Sequence, residues 1–171
     1  MKDVVLIYNK SCFYEIVILS YFMSFSQCDL VFCSLDGQPV RAMEGFLVQA
    51  DRSLGELDKE EIRSLILPGG KVSEVDCSEV RAFLKDLKER KALMAGICAG
   101  VDVFEHAGIL SDVNSTHTDD ADLVIDRNVV TARANAYVDF AVEVAKKLGL
   151  FASEEDLQQT LSFWKQYRRV Q

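Results

Sequence analysis

Short apolar runs rich in β-branched residues recur along the chain, each bounded by polar or glycine positions. They are VVLIY at 4–8, LVFCSL at 30–35, LIL at 65–67, ALMAGI at 92–97, and the pair LVI at 123–125 and VVTA at 129–132 on either side of Asp126-Arg127-Asn128. Runs of this length and makeup predict strands. Between them the spacing changes to that of helices. Val80, Phe83, Leu84 and Leu87 fall at i, i+3, i+4 and i+7, with Ser78 ahead as the expected N-cap and Lys88, Arg90 and Lys91 at the far end, where cations complement the helix dipole. A second helix is expected over 13–23. A third is expected over 137–148, with Phe140, Ala141, Val144 and Leu148 as its stripe and Gly149 as its stop. Ser153 is expected to cap a closing helix that runs to 168, with Leu157, Leu161 and Trp164 on one face, packing on the domain or on a partner. Strands alternating with amphipathic helices predict an α/β fold with a mostly parallel sheet covered on both faces. Any site then belongs at the carboxyl ends of the strands.

The chain has 171 residues, no repeat and no Pro- or Gly-rich linker, so one continuous domain over 1–171 is the simplest organisation. With 49% hydrophobic residues it can bury a large core without disulfide or metal staples. A net charge of −8 disfavours a protein that grips phosphate backbones, so no nucleic-acid partner is expected. No apolar stretch is long enough to span a membrane and the opening MKDVVLIYNK is too short for a signal peptide, so no membrane partner and a cytoplasmic location are expected. Cys12, Cys28, Cys33, Cys77 and Cys98 are odd in number and form no CxxC pair. Most are expected to be reduced thiols. With only His106 and His117 beside them, neither a metal nor a cofactor is expected.

Cys98 stands apart. In ALMAGICAG a buried strand ends at Ile97, a helix begins near Ala99, and Gly96 and Gly100 flank the thiol at i−2 and i+2. This is a nucleophile-elbow pattern, in which small neighbours permit a sharp turn that projects the nucleophile above the sheet. Backbone N–H groups and the positive end of the helix dipole are expected to favour thiolate there. The alternative is a strand-to-helix turn that carries a buried cysteine. In LILPGG another buried strand ends at Pro68-Gly69-Gly70. If that loop lies beside the elbow, the amides of Gly69, Gly70 and Ala99 form an oxyanion hole. Taken alone, it is a strand-terminating turn.

With LILPGG and AGICAG in this order, the chain resembles the ThiJ/PfpI superfamily, relatives of class I glutamine amidotransferases. The likeness also takes in VVLIY and the helix bearing Glu15, AGILSDVNSTH after the elbow, and VVTARANAYVDFAVEVAKKLG near the end. The resemblance implies a flavodoxin-like three-layer α/β/α sandwich and commonly a homodimer. The superfamily's members include cysteine peptidases, glyoxalase- or deglycase-like enzymes, isocyanide hydratases, chaperones and redox sensors. It further implies that Cys98 is the reactive cysteine and that Glu15 is the carboxyl group hydrogen-bonded to it. Beside a thiolate in a pocket with little water, that carboxyl is pushed toward its protonated form. The apolar neighbours Phe13, Tyr14, Ile16, Val17 and Ile18 favour this role over that of a solvated helix residue. Cys12 borders the same pocket or, more simply, is a packing thiol.

By the same resemblance, Ser115-Thr116-His117 puts His117 near the cysteine as the base. His106, eight residues up a helix at ~1.5 Å each and so about 12 Å from the elbow, is expected to cap or pack. Asp119, Asp120 or Asp122 could orient His117, although a solvated loop is the simpler account of that acidic run. Two departures stand out. Ala99 replaces the histidine that the peptidase branch has directly after its nucleophile. TARANA resembles a TSRGPG-like segment but keeps only the arginine, Arg133, for an anionic substrate or a structural pair. The resulting expectation is a cysteine-dependent enzyme acting on a small electrophilic substrate, either an amidase or hydrolase or a glyoxalase- or deglycase-like enzyme. The alternatives are a redox-sensing stress-response protein that uses the same cysteine, and a binding module.

Overall fold

The computed structural model describes residues 1–169. Among the described residues, nine strands and five α-helices run in chain order as β1 (Lys2–Leu6), α1 (Val17–Phe25), β2 (Asp29–Ser34), β3 (Val40–Arg41), β4 (Leu47–Val48), β5 (Arg52–Ser53), β6 (Ile62–Leu67), α2 (Ser78–Glu89), β7 (Leu93–Ile97), α3 (Gly100–His106), β8 (Leu123–Asp126), β9 (Val129–Ala132), α4 (Tyr137–Lys147) and α5 (Glu154–Gln166). Seven strands form one sheet in the order β5-β2-β1-β6-β7-β9-β8. Every pairing in it is parallel except the β8–β9 hairpin. Strands 3 and 4 form a separate antiparallel hairpin.

The strands alternate their side chains, and both faces are apolar. Val5, Ile66, Ala95 and Ile97 join Leu19, Met23, Phe140 and Val144 in the core under α1 and α4. Val4, Leu6, Leu65, Leu67 and Met94 join Val80, Leu84, Leu87 and Phe104 in the core under α2 and α3. This is the three-layer flavodoxin-like sandwich that period-2 strands buried on both sides require. The order reverses at β1, whose chain passes first to β2 and then returns to β6 on its other side. The loops after β1, β6 and β7 therefore open into one crevice at the carboxyl edge.

Several expected boundaries move. Helix α1 starts at Val17 rather than 13, because Phe13 to Ile16 form a turn in which the Ile16 and Val17 amides both bond to the Phe13 carbonyl. Ser78 is the first residue of α2, and Cys77 is its N-cap without a side-chain bond. Ser153 does cap α5, accepting the Asp156 N–H at 3.2 Å, but the helix ends at Gln166, where Tyr167 turns left-handed with φ 57°. Trp164 carries α5 onto the domain, with its ring centroid 6.2 Å from that of Tyr21 and 6.0 Å from that of Phe22 of α1. A Lys165–Asp139 ion pair ties α5 to α4.

A tight junction lies between β6 and α3. A methyl group on Gly100 would sit 2.4 Å from the Leu67 carbonyl oxygen and 2.9 Å from that of Pro68, so only glycine lets the helix start there. Gly100→Ala is expected to cost about 1–3 kcal/mol in urea unfolding, the usual penalty for overpacking. Gly55→Ala, with open space around the new methyl, serves as the control and is expected to stay within about 0.5 kcal/mol of wild type.

Candidate active site

Cys98 and Ala99 form the turn between β7 and α3, and the φ of Cys98 is 55°, a left-handed conformation that is uncommon for a residue with a side chain. Its N–H bonds the Ala132 carbonyl at 2.8 Å, which extends the β7–β9 ladder by one rung and fixes the turn from below. Gly96 makes room for the Phe104 ring of α3, and Gly100 for the β6 carbonyls, so the flanking glycines serve close approach on the two sides of the thiol. The thiol itself is part-exposed.

The β6 loop closes over it. A methyl on Gly69 would lie 2.6 Å from Cys98 Cβ and 2.9 Å from its sulfur. Tyr8 holds this loop, with its hydroxyl 2.9 and 2.7 Å from the Pro68 and Gly69 carbonyl oxygens. The loop after β1 docks on it from the other side. The Cys12 N–H donates to the Gly69 carbonyl at 2.9 Å, and Ser11 bridges Gly70.

Glu15, which is 1% exposed, stands in the turn before α1. Its Oε2 accepts the Gly69 N–H at 2.7 Å, while its Oε1 is buried with no partner in hydrogen-bonding geometry. Burial raises its pKa above the ordinary carboxylate range, against the opposing effects of the Gly69 amide and the Cys98 and Tyr14 side chains. Cys98 is pushed up to about 11, first by burial and then by the Glu15 charge, while the Ala99 N–H pulls the other way. The helix start therefore does not by itself make Cys98 an acidic thiol, because burial and the Glu15 charge outweigh the pull of the Ala99 amide. Thiol and carboxyl act as one coupled pair. With one proton between them, the pair is thiol plus carboxylate or thiolate plus carboxylic acid, and the second form is a nucleophile with its proton donor alongside.

The remaining expected residues fall as follows. Gly69 and Ala99 adjoin Cys98, whereas Gly70 packs against Lys10 and Ser11, and the Gly69 amide is committed to Glu15. His117 lies against α3, with Nε2 3.2 Å from Asp102 and Nδ1 3.0 Å from Glu105. Both of its ring nitrogens are thus engaged by α3 and neither by Cys98. Asp120 and Asp122 pair with Arg133 instead of orienting the imidazole, so Arg133 is a structural partner of that loop. His106 meets Asp76 at 2.7 Å, which is also bound by Arg81. Residues not singled out from sequence are Tyr8, Tyr14, Glu44, Asp102 and Glu105. Asp102 and Glu105 were legible as one helix turn and two beyond Cys98. Glu44, whose carboxylate accepts the Tyr14 N–H at 2.7 Å, comes from the β3–β4 hairpin, which had no sequence signal.

This architecture has known counterparts. The model of the DJ-1/PfpI family matches residues 1–147. The chain belongs to the DJ-1/PfpI family. The DJ-1 superfamily protein Atu0886 of Agrobacterium tumefaciens superposes with a TM-score of 0.86 at 28% identity, over 98% of this chain and 100% of that one. DJ-1 of Toxoplasma gondii, in an oxidized form, gives 0.81 at 20% identity over 95% and 96%. Among curated relatives, the Thermococcus kodakarensis protein named deglycase TK1284 is 28% identical over 110 residues, a match that spans 55% of this chain and 66% of that protein's length.

In this DJ-1/PfpI chain the charge of Glu15 is one cause of the raised Cys98 pKa, so its removal should lower that pKa. Glu15→Gln is expected to move the alkaline limb of Cys98 alkylation by iodoacetamide below about pH 11, read peptide by peptide in a mass spectrometer over pH. An unmoved limb would mean that the carboxyl does not act on the sulfur.

Proposed function

We propose that the protein is a cytoplasmic, homodimeric cysteine enzyme that processes small carbonyl electrophiles in the glyoxalase or deglycase manner. One observation carries this reading: a part-exposed thiol on an enforced left-handed turn faces a buried carboxyl group that has one oxygen tied to Gly69 and the other unpartnered. Addition of a thiol to an aldehyde needs a thiolate, a place for the developing oxyanion and one proton carrier. In this reading Cys98 attacks the aldehyde carbon of an α-oxoaldehyde to give a hemithioacetal. The Ala99 amide receives the oxyanion, and Glu15 moves the proton between the neighbouring carbons, which leaves a 2-hydroxyacyl thioester on Cys98. Water then adds to that carbonyl with Glu15 taking its proton, the C–S bond breaks, and the hydroxy acid leaves as Cys98 regains a proton. Amide hydrolysis would in addition need an acid to protonate the departing amine, the part a histidine plays. That is the less favoured branch, because His117 is held by Asp102 and Glu105 and Ala99 stands where the peptidase branch has its histidine. The distant relative named a deglycase is in keeping with carbonyl chemistry.

Methylglyoxal is the probe, and its disappearance and the formation of the hydroxy acid are followed together. Wild type is expected to turn it over, Cys98→Ser to have no activity, and Glu15→Gln to lose about 10²–10⁴ in kcat, the usual contribution of a positioned acid or base. His117→Ala is expected to change kcat far less than Glu15→Gln. Turnover retained by Cys98→Ser would overturn the reading.

A further inference from the structure

Cys98 shares its surroundings with one other thiol. Cys12 is hydrogen-bonded through its amide to the carbonyl of Gly69, and Gly69 is the residue whose missing side chain leaves the space beside the Cys98 sulfur open. The two cysteines thus flank one peptide unit, and both are part-exposed. Both thiols are raised first by burial and then by the Glu15 charge, and Cys12 is raised further by Cys98. The remaining thiols are elsewhere. Cys33 is fully buried within β2, Cys77 is exposed at the start of α2, and Cys28 lies 3.3 Å from the Arg63 guanidinium beside Asp3, at the amino end of the sheet.

We propose that Cys12 is the resolving thiol of Cys98 and that the protein reduces hydroperoxides through a Cys12–Cys98 disulfide. The Cys98 thiolate attacks the distal oxygen of ROOH, the O–O bond breaks, and the departing alkoxide takes the Glu15 proton to leave as ROH, giving sulfenic Cys98. The Cys12 sulfur then attacks the Cys98 sulfur. The S–O bond breaks, and hydroxide leaves as water with the Cys12 proton. Two thiols are oxidised by two electrons, and the peroxide is reduced by the same two. An external thiol reductant returns the disulfide to two thiols by exchange. The Glu15 carboxylate, left without its proton, recovers one from solvent. This inference rests on the same reactive thiol as the carbonyl chemistry and adds a role for the neighbour that chemistry leaves idle.

The test uses the full-length reduced chain and hydrogen peroxide, from equimolar upward. Intact mass is read first, followed by a non-reducing chymotryptic map in which cleavage after Phe13 separates Cys12 from Cys28 and Cys33. Wild type is expected to lose two hydrogens, to yield a peptide pair linked through Cys12 and Cys98, and to regain its mass with dithiothreitol. Cys12→Ser is expected to gain two oxygens at Cys98 under the same dose and not to be restored. Sulfinic Cys98 with free Cys12 in wild type, formed as fast as in Cys12→Ser, would overturn the resolving role while leaving Cys98 reactive. Cys98 untouched by peroxide would overturn this inference, and if iodoacetamide also failed to modify it, the reactive-thiol reading would fall with it. The wild-type map alone decides the matter if Cys12→Ser does not fold.

Discussion

The approach of the β6 loop to the start of α3 is the constraint on which the site depends. Leu67 and Pro68 present carbonyls so close to Gly100 that no side chain fits there, and Gly69 lies so close to Cys98 that a methyl would overlap the sulfur. These contacts hold Cys98 at a positive φ and in place above the sheet. The cost of a strained residue is met by the parallel pairings on either side, β6 with β7 and β7 with β9, which are buried on both faces.

On that frame, electrostatics decides the chemistry. Glu15, Tyr8, Cys12 and Cys98 share a pocket in which burial is the largest influence on each, and each is shifted toward its neutral form. A cluster of reluctant acids spreads protons among its members. The Gly69 amide anchors one Glu15 oxygen and thereby directs the rest of that carboxyl at the thiol. The same bond takes the Gly69 amide out of any oxyanion hole and makes it a positioning group for the carboxyl.

The layered architecture was legible because both periods are strong. Leu65 to Leu67 and, apart from Gly96, Leu93 to Ile97 have β-branched or apolar side chains, and α2 keeps its stripe at Val80, Phe83, Leu84 and Leu87. The elbow was legible from its glycines. The β3–β4 hairpin and β5 were not, since two-residue strands carry no period, and the turn before α1 was not, since its apolar residues read as helix. The partners of His117 illustrate the other limit. The nearest acids in sequence are Asp119, Asp120 and Asp122, but the chain delivers Asp102 and Glu105 from a helix that precedes the loop, and Arg133 draws Asp120 and Asp122 away. A loop's direction is set by what it packs against, which local composition does not encode.

The three loops that make the site are far apart along the chain: the Glu15–Gly69 bond joins residues 54 positions apart and the Tyr8–Gly69 contact 61. None of these partners can meet before β1 and β6 have paired, and parallel pairings of this separation close late because the loop entropy must be overcome first. During synthesis and collapse, Cys98 is therefore an ordinary thiol on a flexible chain, without its acid, its strained turn or its cover. The fold withholds the chemistry from every incomplete version of itself, so that a nascent or partly unfolded chain lacks the organised site.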